Sequence, residues 1–169
     1  MSEQTEKDTD HAKENAEAWL ASIVAMVKRL HHAAECDGDT DECDLTDEEI
    51  CDGLARYYSP GQEVNDEDRE EYHDEDEARQ RITESALDVS VRAGTWQSPG
   101  QELVADEYLI QVTTGGPACH VTGKLCQHKE PETAKIQYQD WDTPWTTLPT
   151  TDEQREMLLE YARQFPFGY

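Results

Sequence analysis

Between residues 11 and 35, apolar residues return every three or four positions: Ala16, Trp19, Leu20, Ile23, Val24, Val27, Leu30 and Ala34. That spacing lays them along one stripe of an α-helix. Asp10 is its candidate cap. Lys28 and Arg29 fall near its C-terminal end, where cations suit the helix dipole. Residues 1–10 are polar and predict a flexible start. Thr46 followed by Glu49 makes a capping box and opens a second helix. Its narrow apolar face is Ile50, Leu54 and Tyr57 or Tyr58, and Ser59, Pro60 and Gly61 stop it. Residues 62–75 are nearly all charged and fit a loop or a solvated helix. Ala78 and Ile82 anchor a short helix over 75–84.

The period then changes from 3.6 to 2. Leu87, Val89 and Val91 alternate with Asp88, Ser90 and Arg92, which predicts a half-buried strand. Further strands are expected over 107–113, 118–125 and 134–139, with a turn at Gly115, Gly116 and Pro117 and another over 127–132. Short strands joined by tight turns pair antiparallel. After a loop at 140–149, Thr151 caps a last helix with Gln154 in the capping-box position. Met157, Leu158, Tyr161, Ala162 and Phe165 form its apolar face, and Pro166 ends it.

These elements predict an α+β protein. A four-stranded antiparallel meander sheet is packed by an N-terminal and a C-terminal helix, with an acidic helical insert. The expected organisation is a flexible N-terminus (1–10), a long amphipathic helix (11–35), the acidic insert (36–77), and a sheet with its closing helix (78–169). The last of these forms one globular unit with 11–35.

Charge sharpens the picture. The chain of 169 residues has a net charge of −25. Residues 35–77 hold 20 of its 39 acids and only two of its 14 Lys and Arg, a net of −18. Such a charge repels nucleic-acid phosphates and anionic membranes and attracts basic surfaces, including the Lys/Arg channels that hold DNA or RNA. Halophilic adaptation would spread acids over the whole surface, and here they cluster. No run of apolar residues is long enough to span a bilayer, and residues 1–10 do not open a secretory signal. The expected location is the cytoplasm. Five cysteines, an odd number, are expected to be reduced thiols.

Four groups of residues suggest chemistry. Asp37, Asp39 and Asp41 occupy positions 1, 3 and 5 of a twelve-residue loop ending at Glu48, as in an EF-hand. Glu42 replaces the turn glycine and Asp44 the apolar position, so weak binding of divalent ions is the plainer expectation. Cys119, His120, Cys126 and His128 offer soft ligands, but the cysteine spacing does not match a zinc knuckle. Neighbouring Cys119 and His120 also point to opposite strand faces, and a buried Cys119 beside an exposed His120 is expected. Cys119 with His120 or Asp140 could be drawn as a nucleophile and base, yet nothing in the sequence positions them. No catalytic residue, metal ligand or cofactor is assigned. Trp141 and Trp145, close to Tyr138, fit either packing at a sheet end or a contact surface.

The acidic stretch is the strongest feature. A helix rises about 1.5 Å per residue. With half its positions acidic it carries a charge roughly every 3 Å, near the spacing of phosphates along one DNA strand. Ordered carboxylates could therefore stand in phosphate positions in a basic channel. The expected contact residues are Asp39, Asp41, Asp44, Asp47, Glu48, Asp66, Glu67, Asp68, Glu70 and Glu71, with Trp141 and Trp145 as a second surface. A solvated acidic linker is the plainer alternative.

The segments TGGPA at 114–118, YQDWDTPW at 138–145 and YARQF at 161–165, with ENAEAWL at 14–20 and residues 76–81, resemble a family of small acidic proteins. That family is encoded by phages and integrative conjugative elements. It supplies no catalytic residue. The resemblance implies a mobile-element setting, where small acidic proteins block host defence nucleases. The expected function is then a non-enzymatic, DNA-mimicking inhibitor of a host nucleic-acid-binding defence complex (anti-CRISPR or anti-restriction), with no direct binding to nucleic acid or membrane. The alternatives are an interaction or regulatory module using Trp141 and Trp145, and a weak calcium-binding protein.

Overall fold

A computed structural model of the chain describes residues 2–36, 43–55, 63–96, 98–102 and 104–168, and over 2–10 the backbone alone. The first helix, α1, runs from Ser2 to Cys36, about 50 Å at 1.5 Å per residue. It therefore includes most of the expected flexible start. The segment contains neither Gly nor Pro, so nothing in it breaks a helix. The helix buries Ala12, Ala16, Leu20, Ile23, Val27 and Leu30, and also Met26, Arg29 and Ala33. Ala34, by contrast, is exposed. The stripe widens because the C-terminal half of α1 is covered on a second side.

That second cover is the acidic segment. α2 (Asp47–Leu54) starts at the expected Thr46–Glu49 capping box. α3 (Asp66–His73) is capped by Asn65, and α4 (Glu75–Glu84) by Asp74. The charged 62–75 stretch thus contains a helix. Ile50, Leu54, Val64 and Tyr72 form a small core of their own, separate from the main one. Tyr57, Tyr58 and the stop at 59–61 lie outside the described residues. α4 buries Ala78 and Ile82 in the main core.

The sheet is a meander of five strands, one more than expected, in the order β1-β2-β3-β4-β5. The strands are β1 (Asp88–Arg92), β2 (Glu107–Thr113), β3 (Ala118–Lys124), β4 (Lys135–Gln139) and β5 (Thr146–Thr147). The fifth strand has two residues and no periodicity, and only its pairing with β4 defines it. Ile110, Val121 and Ile136 are register partners across β2, β3 and β4 and are fully buried. With Tyr108, Val112, Cys119 and Tyr138 they form the inner face. α1 and the closing helix α5 (Asp152–Arg163) cover that face. α5 keeps its Thr151–Gln154 capping box and buries Leu158, Tyr161 and Ala162. β1 is less buried than its alternation predicts. Val89 partners Ile110, but Leu87 is 62% exposed and Val89 38%, and only Val91 packs partly on the core. α1 packs on β3 and β4 rather than on this edge. Among the described residues no helix packs on the outer sheet face, an arrangement antiparallel sheets permit.

Among the described residues no helix is long and apolar enough to cross a membrane.

Candidate functional site

The acidic contact residues divide into three groups. Asp39 and Asp41 lie outside the described residues, as does most of the EF-hand-like loop. Asp44, Glu48, Asp66, Glu67 and Glu70 are exposed. Asp47, Asp68 and Glu71 have internal roles. Asp47 pairs with Arg69 and accepts the Val64 N–H at 3.1 Å. Asp68 is only 5% exposed, and its carboxylate accepts from the Asn65 side-chain amide at 3.1 Å. Asp68 and Tyr72 are one turn apart and share the inward face of α3. The expectation that Asp47 and Asp68 belong to an outward row of carboxylates is therefore corrected. Asp47 ties α2 to α3, and Asp68 braces the N-terminal cap of α3.

Arg29 ties these helices to α1. Its guanidinium is buried and donates from Nε to the Tyr72 carbonyl at 3.3 Å and from an Nη to the Glu71 carbonyl at 2.5 Å. It also lies 5.8 Å from the centre of the Tyr72 ring. The two carbonyls belong to the last turn of α3, where helix acceptors lack partners and the dipole favours a cation. Burial pulls the Arg29 pKa down, and the charge of Glu71 pulls it back up. Arg29 was expected to suit the dipole of its own helix, and it serves a neighbour's instead. α1 itself has no basic residue in its last turn.

Next to this tie, four side chains converge. His32 and Cys36 are one turn apart on α1 and share a face. Cys43 comes from the segment before α2, and His73 ends α3. One ligand atom from each lies within 4.8 Å of every other. His32 Nε2 is 3.2 Å from His73 Nε2 and 3.3 Å from Cys43 Sγ. His73 Nδ1 donates to the Arg69 carbonyl at 2.6 Å, which leaves Nε2 as the lone-pair nitrogen. Burial, then the neighbouring His73, lower the His32 pKa, while Glu35 and Glu49 oppose the shift. All five cysteines are thiols. Sequence reasoning missed this group. Its one local signal was the His32/Cys36 spacing of four on a helix.

The sheet supplies the other candidates. Cys119 is fully buried in the core, and its pKa is pushed up to about 12 by burial. It cannot act as a ready thiolate nucleophile. His120 points to the outer face but is not exposed as expected. The Trp145 ring covers it at a centroid distance of 3.9 Å, and His120 Nε2 bonds to Gln137 at 3.2 Å. His128 is exposed, and the four soft residues of 119–128 do not form a ligand cluster. Trp141 is 74% exposed and Trp145 39%, so neither is a core plug.

Burial lowers the His120 pKa, Lys135 adds to the shift, and the Gln137 bond opposes it. Unfolded, the ring titrates near 6.5. Below that pH the unfolded chain takes up a proton that the native ring refuses, so stability falls as pH drops through the window between the two values. Urea midpoints measured from about pH 7.5 to 5.5 should fall less steeply in His120→Gln than in the wild type. Parallel slopes would remove His120 from the pH dependence.

The described residues thus form a one-sided sheet, a helical layer, and an acidic cap held to α1 by Arg29 and bordered by a His/Cys cluster. Compared with protein-family models, with curated proteins and with solved structures, the chain gives no significant match.

Proposed function

We propose that this chain is a non-enzymatic binding protein that lays its acidic helices against a Lys/Arg channel and so competes with DNA for it. The class of partner is a host defence complex that handles nucleic acid, as in anti-CRISPR or anti-restriction inhibition. One observation carries the reading. Among the described residues of 35–77 the only Lys or Arg is Arg69, and it pairs with Asp47. The outward carboxylates Asp44, Glu48, Asp66, Glu67 and Glu70 are exposed, and no Lys or Arg among the described residues of their own segment pairs with them. Capped helices hold Glu48, Asp66, Glu67 and Glu70 in place, with Asp44 just before α2, which lets them act as a patterned surface rather than a diffuse cloud of charge.

The test uses purified restriction nucleases and CRISPR effector complexes with a labelled DNA duplex. The wild-type protein should displace DNA from at least one of them, less effectively as salt rises from about 0.05 to 0.5 M. Lysine at Asp44, Glu48, Asp66, Glu67 and Glu70 together should weaken displacement at least about 100-fold. Equal potency of the variant, or no displacement across the panel, would overturn the reading.

A second reading is favoured by the exposure of Trp141. Large exposed aromatics anchor interfaces, so the sheet end could be the contact surface and the acids a solubility device. Inhibition lost in Trp141→Ala/Trp145→Ala but kept in the charge-reversed protein would select it.

A further inference from the structure

We infer that His32, Cys36, Cys43 and His73 form a structural zinc site that fastens the acidic helices to α1. The inference is independent of any partner that the acids bind.

The donor set is the first argument. Two imidazoles and two thiols form a Cys2His2 set, which is typical of closed, tetrahedral structural zinc. Soft sulfur with imidazole disfavours calcium and magnesium, which take oxygen ligands.

The second argument is distance. Zn–N bonds of about 2.05 Å and Zn–S bonds of about 2.3 Å at tetrahedral angles place two nitrogens about 3.3 Å apart and nitrogen and sulfur about 3.6 Å apart. The observed Nε2–Nε2 distance is 3.2 Å and the Nε2–Sγ distance 3.3 Å. Those two pairs need only a few tenths of an ångström of adjustment, and the remaining pairs, all within 4.8 Å, need at most about 1 Å to reach tetrahedral spacing.

Tautomer is the third. The His73 Nδ1–H bond to the Arg69 carbonyl is the outer-shell contact that orients a zinc-bound imidazole and turns its Nε2 to the metal.

The fourth argument is energetic. α2 and α3 have eight residues each, too short to persist alone. Their private core is Ile50, Leu54, Val64 and Tyr72. Cores this small usually need a metal or disulfide staple. Zinc would join α1, the segment before α2 and the end of α3 at one point. Its charge would also offset the carboxylates of Glu35 and Glu49, which act on His32. Binding converts two thiols into zinc thiolates and releases their two protons.

The test starts with wild-type protein, reduced, stripped with chelator and desalted. Cobalt(II) is then titrated as a spectroscopic probe and zinc is added to displace it. The expected result is one equivalent of cobalt, with the intense visible bands of a tetrahedral ion and a thiolate-to-cobalt charge-transfer band, all bleached by zinc. Cys36→Ser and Cys43→Ser should each weaken the charge-transfer band and lower metal affinity more than about 100-fold, beyond the loss seen for outer-shell changes. Cys51→Ser and Cys126→Ser should leave both unchanged. Zinc should also slow alkylation of Cys36 and Cys43 and proteolysis within 43–55. Wild-type protein that takes up no stoichiometric cobalt would overturn the inference. So would an octahedral spectrum, or a tetrahedral one that survives both cysteine changes together. These readouts do not involve DNA or any nuclease, so their failure is distinct from failure of the inhibitor reading.

Discussion

Arg29→Met should release the acidic helices while leaving the sheet folded. The substitution keeps most of the aliphatic stem and removes the guanidinium. Two charge-assisted hydrogen bonds disappear, each contributing about 1.5–3 kcal/mol. The last-turn carbonyls of α3 at Glu71 and Tyr72 lose this donor, although the Asp74 N–H still reaches the Glu71 carbonyl at 3.3 Å. The expected cost is about 3–5 kcal/mol, the range for removing one partner from a buried charged contact. A four-residue core cannot absorb that loss. Hydrogen exchange of the α2 and α3 amides should accelerate at least about 100-fold, while β2 and β3 keep their protection. Uniform acceleration across the chain would show that the acidic layer and the sheet unfold as one unit. Unchanged exchange would show that Arg29 does not hold the layer.

The second large effect is expected at Gly123. It pairs with Tyr108 across β2 and β3. A Cβ there would sit 1.8 Å from the Thr133 carbonyl oxygen and 2.9 Å from the Tyr108 ring. That carbonyl accepts the Tyr108 hydroxyl at 2.8 Å, and the Thr133 hydroxyl accepts the Lys124 N–H at 2.9 Å. The obstacle is therefore backbone locked on both sides, which cannot swing away. Burial also pushes the Tyr108 phenol pKa upward, so the hydroxyl stays a donor. Gly123→Ala should cost about 3 kcal/mol or more, at the upper end of overpacking effects. It would read out as a lower urea midpoint or as loss of soluble protein. A stability within about 0.5 kcal/mol of wild type would mean that the chain at Thr133 can yield.

Local signals carried much of this fold into the sequence. Thr46 with Glu49 and Thr151 with Gln154 mark helix starts because each is a reciprocal contact within three residues. The 107–113 strand alternates cleanly because Tyr108, Ile110 and Val112 turn into the main core while the residues between them stay half-buried on the other face. What stayed hidden depends on distant partners. α3 contains a single large apolar residue, Tyr72, so no pattern says that Asp68 faces inward. β5 exists only as hydrogen bonds to β4. Trp145 covers His120 from 25 residues away, beyond the reach of any periodicity. The His/Cys cluster takes its members from two helices and the segment before α2. Only His32 and Cys36 share a helix, and such a pair has no meaning until His73 is folded against it.

The uncovered sheet face has one more consequence. Its strands carry Arg92, Lys124 and Lys135 against the carboxylates of Asp88 and Glu107, and it looks away from the helical layer and its acids. The molecule is therefore an electric dipole as well as a strong anion. Near any cationic surface the field exerts a torque that turns the acidic end forward before contact. The uncovered sheet then points outward, with Trp141 and Trp145 beside it. In a complex docked through its acids that face would be left to water or to a second molecule, while at low ionic strength the net charge of −25 keeps copies of the chain apart.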